Sequence, residues 1–415
     1  MNSFTVFFII VLIISFGVEF WLAKRQAGHV AAHRSEVPAA FRDTVSLEAH
    51  QKAADYTLAK GKLGDVDRII GVVVLLGLTL GGGINLAFTC WTSSVGAPLL
   101  AGILAIASVF LVMTVIEIPT QLYQTFVIEE QFGFNKSTPV QFAKDQLLQL
   151  ALGAAIGLPL LALILWVMDS IGPSWWLWAW AILMGFSLLM SWLFPTLIAP
   201  LFNKFTPMEE GSLKDRIQGL LARCGFNSQG IFIMDGSKRS GHGNAYFTGL
   251  GNNKRIVFYD NLVNSMDEEE LEAVLAHELG HFKHKHVIKM LVATSIMSLI
   301  GFGVLGWLSN EDWFYTGLGV DLAQKSNAAA LILFMLVSST FTFFMQPVSA
   351  YFQRKFEFEA DDFAANNAKA SKMISGLVKL YEENASTLTP DPLYSAFHYS
   401  HPPAAIRIAH LAAKS

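Results

Sequence analysis

Seven apolar stretches, each long enough to cross a bilayer, limit what this chain can fold into. They run at about 4–22, 69–91, 97–118, 147–168, 175–198, 287–308 and 329–349, and a membrane-crossing helix needs about 20 such residues. Within hydrocarbon the backbone must satisfy its own hydrogen bonds, so blocks of this length fold as helices. Charged residues make up 15% of the chain, against roughly 25% in a soluble domain, so the apolar excess exceeds what a soluble core needs. Trp21, Trp91, Trp166, Trp175, Trp176, Trp178, Trp307 and Trp313 sit at or near block ends, the interfacial depth that tryptophan favours.

The first stretch does not read as a cleavable signal. Met1–Thr5 carries no side-chain cation, and Lys24 and Arg25 follow the apolar run directly. Alternating the blocks across the membrane leaves outer loops at about 92–96, 169–174 and 309–328. Of 29 Lys and Arg, only Lys325 falls there. Positive charge stays on the cytoplasmic side, so the N-terminus is expected outside and the C-terminus inside. Cys90 and Cys224 then face opposite compartments and cannot pair. The net charge of −4 points to no nucleic-acid partner.

The polar segments are therefore expected on the inner side. Residues 1–198 form a five-span region, 199–286 and 350–415 the two parts of a polar domain, and 287–349 a hairpin of spans six and seven. Ile231–Asp235 and Ile256–Tyr259 flank a Gly- and Asn-rich run and read as a small β-hairpin. Asp267, with Glu270 three residues on, predicts a capped helix over 268–284.

That helix carries His277-Glu278-Leu279-Gly280-His281. Residues four apart share a helix face, so both imidazoles can reach one metal ion while Glu278 stands close enough to act as a base. Catalytic zinc takes three protein ligands and keeps one position open. A third histidine six residues on, with glycine before it, would suit one peptidase class, but Val287 and His284 occupy those places. His284 and His286 are expected to decorate the basic inner end of span six. The hairpin of spans six and seven instead brings residues near 286 and 351 together. Just beyond, Glu357 and Asp361 share a helix face. One can ligate zinc while the other takes the N–H of a ligating histidine. Glu359 and Asp362 are expected to point to solvent.

Further segments join these: Tyr123–Glu129, Leu201–Pro207, Asn244–Gly249, Phe356–Asp361, and Ser400-His401-Pro402-Pro403 with Arg407. In this order, among seven spans, the chain resembles the type I CaaX prenyl proteases, membrane gluzincins that process prenylated C-termini, together with their bacterial relatives. The resemblance implies a mainly α membrane protein. Seven tilted helices would ring a large water-filled chamber, and a cytosolic zinc protease domain would cap it. One Zn2+ per chain is expected on His277, His281 and Glu357, with Asp361 as the supporting carboxylate and Glu278 as general base. His401, held by two prolines, is the expected oxyanion donor, with His398 and Tyr399 as competitors; Arg407 would orient the site carboxylates. Asn244, Ala245, Tyr246 and Phe247 would hold a peptide by strand addition. The expected partners are membrane lipids and a peptide or protein substrate, with lipidated or membrane-embedded C-terminal segments as candidates. Short outer loops and compact termini point to a bacterial inner membrane. The alternatives are a quality-control peptidase acting on damaged membrane proteins, or a seven-helix transporter or receptor with structural zinc. Glu278 discriminates here, since a structural site needs no base. The acidic start of the motif helix argues against an intramembrane site-2-type protease.

Overall fold

The computed structural model describes residues 2–226, 228, 230–248 and 255–414. Helix α1 (Ser3–Ala32) starts where the Asn2 side chain accepts the Thr5 N–H. The second apolar stretch is broken rather than straight: α2 (Leu47–Leu78) and α3 (Gly83–Ser94) meet at 47°. Gly82 between them has φ 78°, a left-handed conformation that ends a helix and that glycine adopts without a Cβ clash. Helix α4 (Pro98–Tyr123) passes into a π-helical segment, Gln124–Glu129. Helices α5 (Pro139–Ser170) and α6 (Trp175–Leu193) follow, then α7 (Ala199–Phe202).

A four-stranded sheet comes next: β1 (Phe205–Pro207), then α8 (Ser212–Cys224), β2 (Gly230–Met234), β3 (Ala245–Thr248) and β4 (Arg255–Tyr259), in the order β1-β2-β4-β3. The expected hairpin is corrected here. β2 and β4 run parallel, with Ile231 opposite Ile256. The antiparallel partner of β4 is β3, with Ala245 opposite Phe258. The buried run Ile256-Val257-Phe258 occupies an inner strand, which needs a neighbour on each side. Residues 249–254, between β3 and β4, lie outside the described residues. Helix α9 (Asp260–Ser265) leads to α10 (Glu268–Lys283), whose start is the expected capping box of Asp267 and Glu270. Its acidic start is paired rather than merely solvated: the N-cap Asp267 with Lys372, Glu269 with Lys369, and Glu272 of the second turn with both Arg216 and Arg223.

Helix α11 (His286–Leu308) returns through the membrane region and is followed by α12 (Asp312–Gly317). Then come α13 (Asn327–Thr342), α14 (Gln346–Asn367), α15 (Ala370–Glu383), α16 (Pro392–His398) and α17 (Ala404–Ala412). Among the described residues, six helical segments are long and apolar enough to cross a membrane, or seven if the bent α2–α3 pair counts as one. Ile13, Val73 and Leu147 are exposed on them, as lipid-facing side chains would be. Phe8, Ile84, Ile106, Leu165 and Leu333 form the core between them.

Segment 309–328, expected as an outer loop, is more than a connection. Phe314 and Tyr315 of α12 are buried in the same core, Asn2 Nδ2 donates to the Trp313 carbonyl at 2.8 Å, and Asn85 pairs with Asp321. The segment closes one end of the bundle. Among α1, α2, α4 and α13 lies a cavity of about 640 Å3, lined by Glu19, Arg68, Glu117 and Gln121 among others. Glu19 and Arg68 meet at 3.1 Å, so these polar groups face a pocket rather than lipid.

Candidate metal centre

The site depends on how closely α10 can approach α14. A Cβ on Gly280 would lie 2.8 Å from Ala360 Cα and 3.1 Å from its carbonyl oxygen. Those are backbone atoms that cannot step aside, so the glycine of the motif permits the contact. Ala360 and Ala364, both fully buried, are the small residues on the facing side. At this separation Glu357 reaches both motif histidines. Its Oε2 is 3.4 Å from His277 Nε2 and its Oε1 is 3.2 Å from His281 Nε2, while the two Nε2 atoms are 3.2 Å apart.

These three side chains form a metal-compatible cluster, with one donor atom from each within 4.8 Å of the others. Glu357 is nine-tenths buried or more, and its Oε2 has no hydrogen-bond partner. A buried carboxylate oxygen without a hydrogen bond is costly, and the Arg407 guanidinium at 3.4 Å offsets this by charge alone, leaving a lone pair that a metal ion could take. Two imidazole nitrogens and a carboxylate are a catalytic zinc donor set. The residues present fit the ion.

Behind the donors, Asp361 is fully buried. Its Oδ1 lies 2.9 Å from His277 Nδ1, and it accepts two hydrogen bonds from Arg407, at 2.6 Å from Nη2 and 2.9 Å from Nε. Arg407 Nη1 also lies 3.4 Å from Glu357 Oε2. Burial alone would lower the pKa of His277, but the Asp361 and Glu357 carboxylates outweigh it and raise it to about 9. A metal ion held there would take the place of that proton, since it binds neutral imidazole. Burial holds the Glu278 carboxyl above its ordinary range.

His401 Nε2 lies 3.4 Å from Glu357 Oε1, and its Nδ1 meets Ser400 Oγ at 2.8 Å. Its two competitors look elsewhere: His398 Nε2 is 3.4 Å from Glu19, and Tyr399 OH accepts from Gln26. Asn244 precedes β3, the edge strand of the sheet. The Asn244 carbonyl accepts from Tyr259 N–H, Ala245 is buried, Tyr246 packs edge-on to Tyr259, and Phe247 touches Phe282 of α10 with ring centroids 5.0 Å apart.

Two expectations are corrected. His286 is buried, and its Nδ1 lies 3.0 Å from His281 Nδ1; Glu359 lies 2.9 Å from the other nitrogen of His286. Neither residue is simply solvated. Asp362 pairs with His410 at 2.6 Å. Only His284 is exposed as expected. Helical periodicity hid His286, because five residues turn an unbroken helix by about 140°. The chain instead breaks at Lys285, where φ is 57°.

Two family models together match residues 26–204 and 207–415. The CAAX prenyl protease N-terminal domain of five membrane helices covers residues 26–204, and peptidase family M48 covers residues 207–415. The chain is similar to the CAAX prenyl protease 1 homolog of Dictyostelium discoideum, 35% identical over 92% of this chain and 91% of that one. It is 34% identical to CAAX prenyl protease 1 of Saccharomyces cerevisiae, over 96% and 93% of the two chains. Its fold matches the crystal structure of S. mikatae Ste24p with a TM-score of 0.91, at 31% identity and 99% coverage of both. All three come from eukaryotes, and the bacterial-membrane expectation finds no support among them.

Proposed function

Since the chain belongs to peptidase family M48 and carries the five-helix CAAX prenyl protease N-terminal domain, we propose that His277, His281 and Glu357 hold one zinc ion and that Glu278 is the general base. The protein is an integral-membrane, multi-pass zinc metallopeptidase. The observation that carries the ligand assignment is the convergence of two buried or half-buried imidazoles on a carboxylate whose Oε2 has no other hydrogen-bond partner. Zinc bound there supplies Lewis-acid polarisation of the scissile carbonyl and acidifies water.

The remaining chemistry belongs to side chains of this protein. Glu278 removes a proton from the attacking water and returns it to the leaving amine. Burial shifts its pKa upward, the direction that helps one carboxyl both take and give the proton. His401, beside Glu357, donates to the oxygen of the tetrahedral intermediate. Arg407 holds Asp361, and Asp361 holds His277, so a charged network fixes the first histidine. Substrate lies along β3 as an added strand, with Asn244, Ala245, Tyr246 and Phe247 in contact. The names of the relatives support a prenylated C-terminal CaaX peptide as substrate. The basic residues clustered at the inner span ends support a zinc domain in the cytoplasm.

Cleavage of a farnesylated CaaX peptide by the detergent-solubilised full chain tests this reading. Activity is expected to disappear on chelation and return with stoichiometric zinc. Cleavage that persists in metal-free enzyme would contradict it. A transporter or receptor with structural zinc would retain metal and cleave nothing.

A further inference from the structure

His281 presents only one nitrogen to the metal cluster. Its Nε2 faces Glu357 and His277, and its Nδ1 faces away, 3.0 Å from Nδ1 of His286. His286 in turn places Nε2 2.9 Å from Glu359 Oε2. We propose that His286 and Glu359 form a relay that positions His281 and fixes its tautomer for metal binding. The proposal rests on the zinc-ligand reading above and adds a supporting pair for the second histidine.

The hydrogen bonds can run in one direction only. An imidazole that ligates through Nε2 carries its proton on Nδ1. That Nδ1–H donates to His286 Nδ1, so His286 must carry its own proton on Nε2. Nε2–H then donates to Glu359, an acceptor with no proton of its own. A carboxylate at the far end thus selects the ligating tautomer at the near end. The arrangement parallels the other histidine, where Asp361, held by Arg407, meets His277 Nδ1. Each ligating histidine therefore has its own anchor, one direct and one through a second imidazole.

The relay is held by packing. His286 is 2% exposed, and its ring stacks on Phe356 with centroids 4.2 Å apart and planes 13° from parallel. Phe356 precedes Glu357, so one short stretch of α14 supplies a ligand, the ring beneath the relay and its terminal carboxylate. The backbone also bears a cost. Lys285 sits in the left-handed region at φ 57°, which an L-residue with a long side chain adopts only when its surroundings impose it. That turn separates α10 from α11 and swings the His286 ring back onto His281. Lys289, 3.7 Å from Glu359, is the cation that shares the carboxylate.

The test measures zinc affinity, not turnover, by chelator competition on the purified full chain. The ligand-field spectrum of the cobalt-substituted protein is recorded in parallel. His286→Phe keeps an aromatic ring on Phe356 but has no acceptor for His281; its zinc affinity is expected to fall about 10- to 100-fold, with an altered cobalt spectrum. His286→Gln, whose amide oxygen can accept the Nδ1–H, is expected to recover part of the loss. Glu359→Ala, on a partly exposed side chain, is expected to weaken zinc binding without lowering the melting temperature of the metal-free protein. It decides the matter if His286→Phe does not fold. Wild-type zinc affinity in Glu359→Ala, or in a folded His286→Phe, would overturn the relay. Zinc retention by His281→Ala would instead overturn the ligand assignment beneath it.

Discussion

His401 separates catalysis from scaffolding, because its side chain is 59% exposed and supports little of the core. If it donates to the oxyanion, it matters mainly in the transition state. His401→Ala is expected to lower kcat by roughly 10²–10³ with KM and zinc content little changed. A zinc-loaded variant with near-normal kcat would remove it from the mechanism. Residues of this site differ in how readable they were. His277, Glu278 and His281 lie within one helical turn, and spacing alone aligns them. Glu357 and Asp361 became readable once spans six and seven were seen to form a hairpin. His286 stayed hidden because a left-handed residue at Lys285 interrupts the period that would place it, and Glu359 with it, since its partner is His286.

At the scale of elements, the approach of α10 to α14 is the contact on which the metal cluster depends. Gly280→Ala puts a methyl carbon 2.8 Å from the Ala360 backbone, and overpacking of this kind costs about 1–3 kcal/mol. The variant is expected to melt at lower temperature and to bind zinc more weakly, as scanning calorimetry and metal analysis would show. An unchanged melting temperature and zinc affinity would mean that the two helices can move apart without consequence. The apolar stretches were legible as helices because length and composition suffice for that. Their breaks were less so, since the bend at Gly82 comes from three consecutive glycines within an otherwise apolar run. The pairing within the sheet is hard to read from sequence for a related reason. Apolar strands with turn residues between them look alike in parallel and antiparallel pairing, and only the intervening edge strand β3 separates the two. Segment 309–328 reads as a loop in sequence because its buried aromatics, Phe314 and Tyr315, are few and close together.

For the whole molecule, charge asymmetry and family membership agree on a membrane enzyme, and the basic residues predict a direction of insertion that labelling can test. In a chain with Cys90 and Cys224 replaced by alanine, Ala323→Cys in segment 309–328 is expected to react with an impermeant thiol reagent in sealed cells. Glu209→Cys, exposed on the zinc domain, is expected to react only after permeabilisation. The reverse pattern would invert the topology. The bundle thus delivers two distant pieces of chain to one metal-compatible cluster, because α10 runs almost directly into α11 and α13 continues almost directly into α14, which carries Glu357. What that assembly accomplishes is best read from Glu278→Gln, which keeps the shape of the side chain and removes its ability to accept a proton. Zinc content and cleavage of the farnesylated peptide are measured on the same preparation. One zinc per chain with turnover abolished is the expected result; turnover near that of the wild-type enzyme would contradict the assigned chemistry.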